Sequence, residues 1–220
     1  EQKLVNYALR ANMTKEEFIR EVTDGLLPPP KYFPLNVKMN KEGYEDIAEV
    51  LERGDTALSP DDFEGIANES GAIVLDVRHQ DDFVKAHVPR SIFVGLDGDF
   101  APWVGALIAD TLQPILLVVP QGREKETVTR LARVGFDYTI GYLKGGLEAW
   151  IADGKEYDIV SSLSAKEAME KLSLEDLPIF DVRRESEYQA GHAVDACNTP
   201  LDSLNDHLSE FPNKGFFYVH

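Results

Sequence analysis

Cysteine occurs once in this 220-residue chain, at Cys197, which excludes an intrachain disulfide and a cysteine-based zinc site. Basic residues are also scarce: 22 Lys and Arg stand against 39 Asp and Glu, a formal charge of −17. So acidic a chain repels polyanions, which argues against nucleic acid and anionic membranes as partners. The longest apolar run, Ile115 to Val119, is far short of the roughly 20 residues that cross a bilayer. No basic stretch leading into an apolar run opens the chain, and its first residue, Glu1, reads as a cut or processed end. A reducing, cytoplasmic setting is the expectation. What is present is apolar material: hydrophobic residues make up 43% of the chain, enough for packed cores, and the length accommodates one large domain or two of about 100 residues.

The first segment carries a helix start at Thr14, with Glu17 at capping-box spacing, and a stop at Asp24-Gly25. Pro28, Pro29 and Pro30 then force extended backbone, and Pro34 is expected to prolong it. This stretch reads as a connector that packs on something N-terminal to it. From Tyr44 the pattern alternates. Ile47, Val50 and Leu51 have helical spacing, and Ser59-Pro60 reads as a cap followed by a first helical residue. Short strands are expected at Ala72–Val77, Ile92–Val94, Ile115–Val119 and Tyr138–Tyr142, with helices at Gln80–Lys85, Glu124–Val134 and Leu147–Ala152. Such alternation predicts an α/β fold with a parallel sheet covered on both faces.

An internal repeat is the most informative pattern. Ile73-Val-Leu-Asp-Val-Arg78 recurs as Pro178-Ile-Phe-Asp-Val-Arg183, Asp82-Phe83 as Glu187-Tyr188, and Ala86-His87 as Gly191-His192. Asp153-Gly154 and the polar stretch after it read as a linker, and Ser164 with Glu167 caps the next helix. The second unit lacks a counterpart of Gln121–Trp150, which would leave its sheet with an uncovered face and an unpaired edge.

A strand ending in Asp-Val-Arg, an acidic-aromatic pair, then a small residue and His, together with Lys144-Gly-Gly-Leu-Glu-Ala-Trp150, resembles the rhodanese family. The resemblance implies a rhodanese-like central parallel sheet with helices on both faces, complete once and partial in a second copy. It places one inactive unit at 44–156 and the N-terminal part of another at 157–220. Glu17 to Pro34, with the Lys41-Glu-Gly-Tyr44 stretch, is similar to the exit from the metallo-β-lactamase domain of persulfide dioxygenase-like fusions, so residues 1–43 would be its C-terminal tail and linker.

A rhodanese carries sulfur on a thiolate in the loop after a central strand. Here the loop Val119-Pro-Gln-Gly-Arg-Glu-Lys-Glu126 has no cysteine, and Glu124 and Glu126 would oppose an anionic donor. Pro120, Gln121, Gly122, Arg123 and Glu124 are thus expected to form a degenerate site loop. In the second unit Phe216 to His220 reads as the strand leading into the equivalent loop, and the nucleophile is expected just after His220. The resemblance implies a parent sulfurtransferase acting on a small sulfur-containing anion or a protein persulfide, with no cofactor or metal in these residues and self-association as a further expectation. The rival reading is a degenerate binding or oligomerisation module. Cys197, aligned with Ile92, is expected to be a small buried apolar residue rather than a nucleophile. Asp76 with Arg78 and Asp181 with Arg183 are expected to pair, and His87 and His192 to make local polar contacts. Trp150 and Phe136 are assigned to the core, and Gly145-Gly146 to a tight turn.

Overall fold

A computed structural model describes residues 13–23, 32–172 and 177–220, with the side chain of Leu35 excluded. The chain divides into two units, Glu1–Pro30 and Lys31–His220. In the first, helix α1 spans Lys15–Thr23. It is nucleated as expected: the Thr14 hydroxyl accepts from the Glu17 amide and the Glu17 carboxylate accepts from the Thr14 amide. The expected stop at Asp24-Gly25 and the Pro28–Pro30 stretch lie outside the described residues.

The second unit opens with α2, Phe33–Glu42. This corrects the expectation of extended backbone through Pro34. Proline in the first helical turn gives up no intrahelical bond, so Pro34 starts a helix here. Tyr32 packs on the main core, and its ring fills the space a Cβ at Gly105 would need.

Helix α3 spans Ile47–Gly54, capped by Asp46, whose carboxylate accepts from the Ala48 amide at 2.7 Å. Strand β1 covers Ala57–Leu58 and α4 Pro60–Ser70, the latter capped by Ser59 as the sequence indicated. Then follow β2 at Ile73–Asp76, α5 at Gln80–Lys85, β3 at Ile92–Phe93 and α6 at Phe100–Leu107. After these come β4 at Ile115–Val118, α7 at Glu124–Ala132, β5 at Thr139–Leu143 and α8 at Gly146–Ala152. The five strands form one parallel sheet in the order β1-β5-β4-β2-β3.

The continuous apolar strands are explained by this sheet. Along β4, Ile115 and Leu117 join one buried cluster with Val50, Phe100, Val128 and Leu131, while Leu116 and Val118 join another with Phe63, Leu147 and Trp150. Side chains alternate across a strand, so a run that is apolar at every position needs a helical layer on each side. Helices α3, α6 and α7 supply one layer, and α4 with α8 the other. Close approach within the first layer requires Gly54: a Cβ there would stand 2.7 Å from Val128 Cγ2.

The stretch after Asp153-Gly154, read as a linker, is strapped to the domain. His87 and Asp158 exchange backbone hydrogen bonds at 2.9 Å, the Val160 amide donates to the Val84 carbonyl, and the Trp150 indole donates to the Glu156 carbonyl.

The C-terminal region contains α9 at Ala165–Leu172, β6 at Ile179–Asp181, α10 at Glu185–Ala190, β7 at Cys197–Asn198, α11 at Leu204–His207 and β8 at Tyr218–Val219. Its three strands form a parallel sheet ordered β7-β6-β8. Among the described residues, no helix is long and apolar enough to cross a membrane.

Candidate functional site

In open parallel sheets, clefts form beyond the carboxyl ends of the strands, where connections diverge. A cleft of about 760 Å³ lies at that place here. Its walls come from the ends of β2, β4 and β5: Arg78, then Val119 to Gln121, then Leu143 to Gly146. Gly145 and Gly146 both have positive φ, 75° and 62°, and make the expected tight turn into α8.

Of the loop residues singled out from sequence, Pro120, Gln121 and Glu124 line the cleft. Gly122 and Arg123 are not among its walls. Arg123 reaches Asp97 at 2.8 Å and Glu126 at 2.8 Å, and those two carboxylates raise its pKa. Arg123 in turn holds the Glu126 carboxyl below its ordinary range. The expectation that Glu126 opposes an anion in the site is therefore corrected: it lies outside the cleft walls, in a pair with Arg123. Glu124 does line the cleft, and its carboxylate accepts from the Gly122 amide at 3.0 Å.

Arg78 is fixed by Asp76, which has no exposed surface. The guanidinium Nε lies 3.0 and 3.1 Å from the two carboxylate oxygens, Nη2 lies 2.6 Å from Oδ2, and Nη2 also donates to the Ala86 carbonyl. The sequence expectation of a mutual pair holds. Asp181 and Arg183 repeat the arrangement, with Nη2 to Oδ2 at 2.6 Å and Nη2 to the Gly191 carbonyl at 2.9 Å. Arg183 pulls the Asp181 pKa down to about 2, against partial desolvation that would raise it.

Lys85, Tyr142 and Glu148 line the cleft and are not singled out by the sequence pattern. Tyr142 lies near the end of β5 and Glu148 in the first turn of α8, whereas Lys85 is the last residue of α5. Burial pushes the Tyr142 phenol up, with the Glu124 and Asp55 charges adding to the effect, so it stays protonated at neutral pH. Charges in the cleft balance, with Arg78, Lys85 and Lys144 against Asp82, Glu124 and Glu148.

The histidines make local contacts. His87 stacks on Phe83 and its Nδ1 meets the Phe83 carbonyl at 2.9 Å; His192 does the same with Tyr188. Among the described residues no cluster of His, Cys, Asp and Glu has metal-binding geometry. Trp150 and Phe136 are buried in the core, as expected.

Cys197 requires a correction. It occupies the strand position expected from Ile92, but it is exposed rather than buried. Strand β7 is an edge strand with a single neighbour, and the thiol is met by the turn carrying Glu210, whose Oε2 accepts from Sγ at 3.3 Å. Partial desolvation and that carboxylate raise the thiol pKa.

Residues 59–153 match the family profile described as the rhodanese-like domain. Similar solved structures include the Rhodanese_3 like domain of the Anabaena sp. Alr3790 protein, 21% identical, covering 43% of this chain and 98% of that one at a TM-score of 0.38. A solution structure of the rhodanese-like domain of the same protein is 19% identical, covering 50% of this chain and 87% of that one at 0.43. Thiosulfate sulfurtransferase from Pseudomonas aeruginosa is 17% identical at 0.41; the match covers 82% of this chain and 39% of that one. Comparison with curated proteins gives no match.

Proposed function

We propose that residues 59–153 form a non-catalytic rhodanese-like domain within a sulfurtransferase-type protein, and that its cleft binds without transferring sulfur. One observation carries this reading: among the described residues, the cleft wall contains no cysteine, serine, threonine or histidine, and its only hydroxyl is the Tyr142 phenol. Sulfane transfer from thiosulfate needs a thiolate that attacks the outer sulfur, breaks the S–S bond and releases sulfite with the bonding electrons. The resulting persulfide then gives its sulfur to an acceptor such as cyanide, forming thiocyanate and restoring the thiolate. Nothing on this cleft wall can take the first role, and Cys197, with its raised pKa, is a poor substitute.

The repeated Asp-Arg pair and the parallel β7-β6-β8 sheet support reading residues 157–220 as part of a second unit of the same kind. The fusion to a metallo-β-lactamase domain is proposed from the sequence resemblance of residues 17–44.

Thiosulfate-to-cyanide turnover by the 220-residue protein, beside its Cys197→Ser variant, tests the reading. Both should sit at the uncatalysed rate. Turnover by the parent that Cys197→Ser abolishes would overturn it.

A second reading, that the domain serves purely to dock a macromolecular partner, is favoured by Glu124. Its carboxylate already occupies a loop amide that an anionic ligand could use.

A further inference from the structure

Helix α6, Phe100-Ala-Pro-Trp-Val-Gly-Ala-Leu107, has no charged residue and escapes recognition from sequence, because its apolar residues surround the axis rather than keeping to one face. Such a helix needs cover on more than one side. Phe100 and Val104 are sunk in the core of the rhodanese-like domain. Trp103 is half-buried: it packs against the edge of that core and also lines a seam together with Leu201 and Pro200 from the C-terminal region.

The end of α6 poses a second requirement. The last carbonyls of a helix have no partner within it. Two of them, on Ala106 and Leu107, are met by the carboxamide of Asn205, whose Nδ2 lies 3.0 and 3.1 Å away from the far side of the seam. Only the amide NH2 of an asparagine can donate, so the two acceptors fix its orientation, and its two hydrogens suffice for both.

The C-terminal region has little to hold it together by itself. Between Leu177 and His220, the buried hydrophobic residues are Phe180 and Ala196. Two rings, Phe211 and Phe217, pack on Phe180, but Phe217 is itself exposed, as are Phe216 and Val219. A three-stranded sheet with so small an apolar face is marginal without external support.

We propose that α6 is a docking platform for residues 177–220, that Asn205 is the latch, and that order in the C-terminal region depends on this contact. The occupant of the platform is therefore the chain's own second layer. The rhodanese-like domain acts as a folding scaffold for it, a role that needs no chemistry in the cleft.

Hydrogen exchange on the full 220-residue chain tests this. Asn205→Leu keeps the side-chain size and removes the donors. The Thr199 and Leu201 amides, which bond to the Asp181 and Val182 carbonyls within the C-terminal sheet, should then exchange about tenfold faster or more. The amides of Leu116 to Val118 should keep their rates. Trp103 lies at the seam and Trp150 is buried, so acrylamide quenching of tryptophan emission should rise in the same variant. Asn205→Asp, which sets a carboxylate against two carbonyls, should loosen the layer at least as much. Unchanged Thr199 and Leu201 exchange in both variants would overturn the proposal. So would acceleration shared equally by Leu116 to Val118, because that would mean one cooperative body rather than a docked layer.

Discussion

The two Asp-Val-Arg units of this chain make the same local contacts in different surroundings. In both, the arginine turns back onto the aspartate two residues before it and caps a carbonyl eight residues after it. In both, a histidine stacks on the aromatic ring four positions earlier. Yet the Arg78 side chain is 12% exposed and Arg183 32%. His87 is buried where His192 is exposed. Contacts over a few residues follow local sequence, whereas burial follows from how many layers lie above. Strand β2 sits inside a five-stranded sheet clad on two sides, and β6 belongs to a three-stranded sheet with few buried apolar residues.

Core truncation should break this parallel most visibly. Leu117→Ala, at a position with no exposed surface in the central strand, should destabilise the domain by about 2–5 kcal/mol in urea unfolding. Phe180→Ala should leave that main transition nearly in place and abolish exchange protection in residues 177–220. A single shared transition shifted equally by both would mean that the two regions fold as one.

The aspartates sharpen the contrast at a smaller scale. Asp76→Asn leaves a largely buried guanidinium without its counter-charge and should lower stability by about 3 kcal/mol. Asp181→Asn should have a smaller effect, since water reaches Arg183. The pH dependence has a definite sign. The folded pKa of Asp181 is depressed to about 2 from an ordinary 3.8, so its stabilisation is present above pH 4 and is lost as pH falls from about 4 towards 2. Exchange protection of the C-terminal sheet, followed through that window, should fall in the parent and be flatter in Asp181→Asn.

The smallest effect concerns Cys197. With its pKa raised by partial desolvation and Glu210, the thiol should react with iodoacetamide at pH 7.5 more slowly than free cysteine. Glu210→Gln should speed that reaction a few-fold, and an unchanged rate would remove the carboxylate from the explanation.

Much of the domain is legible in the sequence. The strands at Ile73, Ile92, Ile115 and Thr139 and the helices at Gln80, Glu124 and Gly146 stand where β-branched runs, helical spacing and Gly or Ser-Pro signals put them. The elements that escape detection have physical reasons. Two residues of β1 carry no periodicity. Helix α6 is apolar all round, and α2 hides behind a proline that favours a helix start as readily as it disfavours a helix interior. Within the cleft, Pro120, Gln121 and Glu124 follow from the loop after β4. Lys85, Tyr142 and Glu148 do not, because their convergence depends on where α5 and β5 end and α8 begins in space.

Sequence by itself determined the alternation of elements, the helix caps, the two Asp-Arg pairs and the lack of a thiol in the loop after β4. All of these depend on residues within about eight positions of one another, where backbone geometry leaves few choices. Tertiary structure alone decided which carboxylate faces the cleft, that Cys197 is exposed, and that Asn205 meets the end of α6 some 98 residues away. Those outcomes depend on layers packing at long range, and short-range pattern carries no record of which surface a layer will cover.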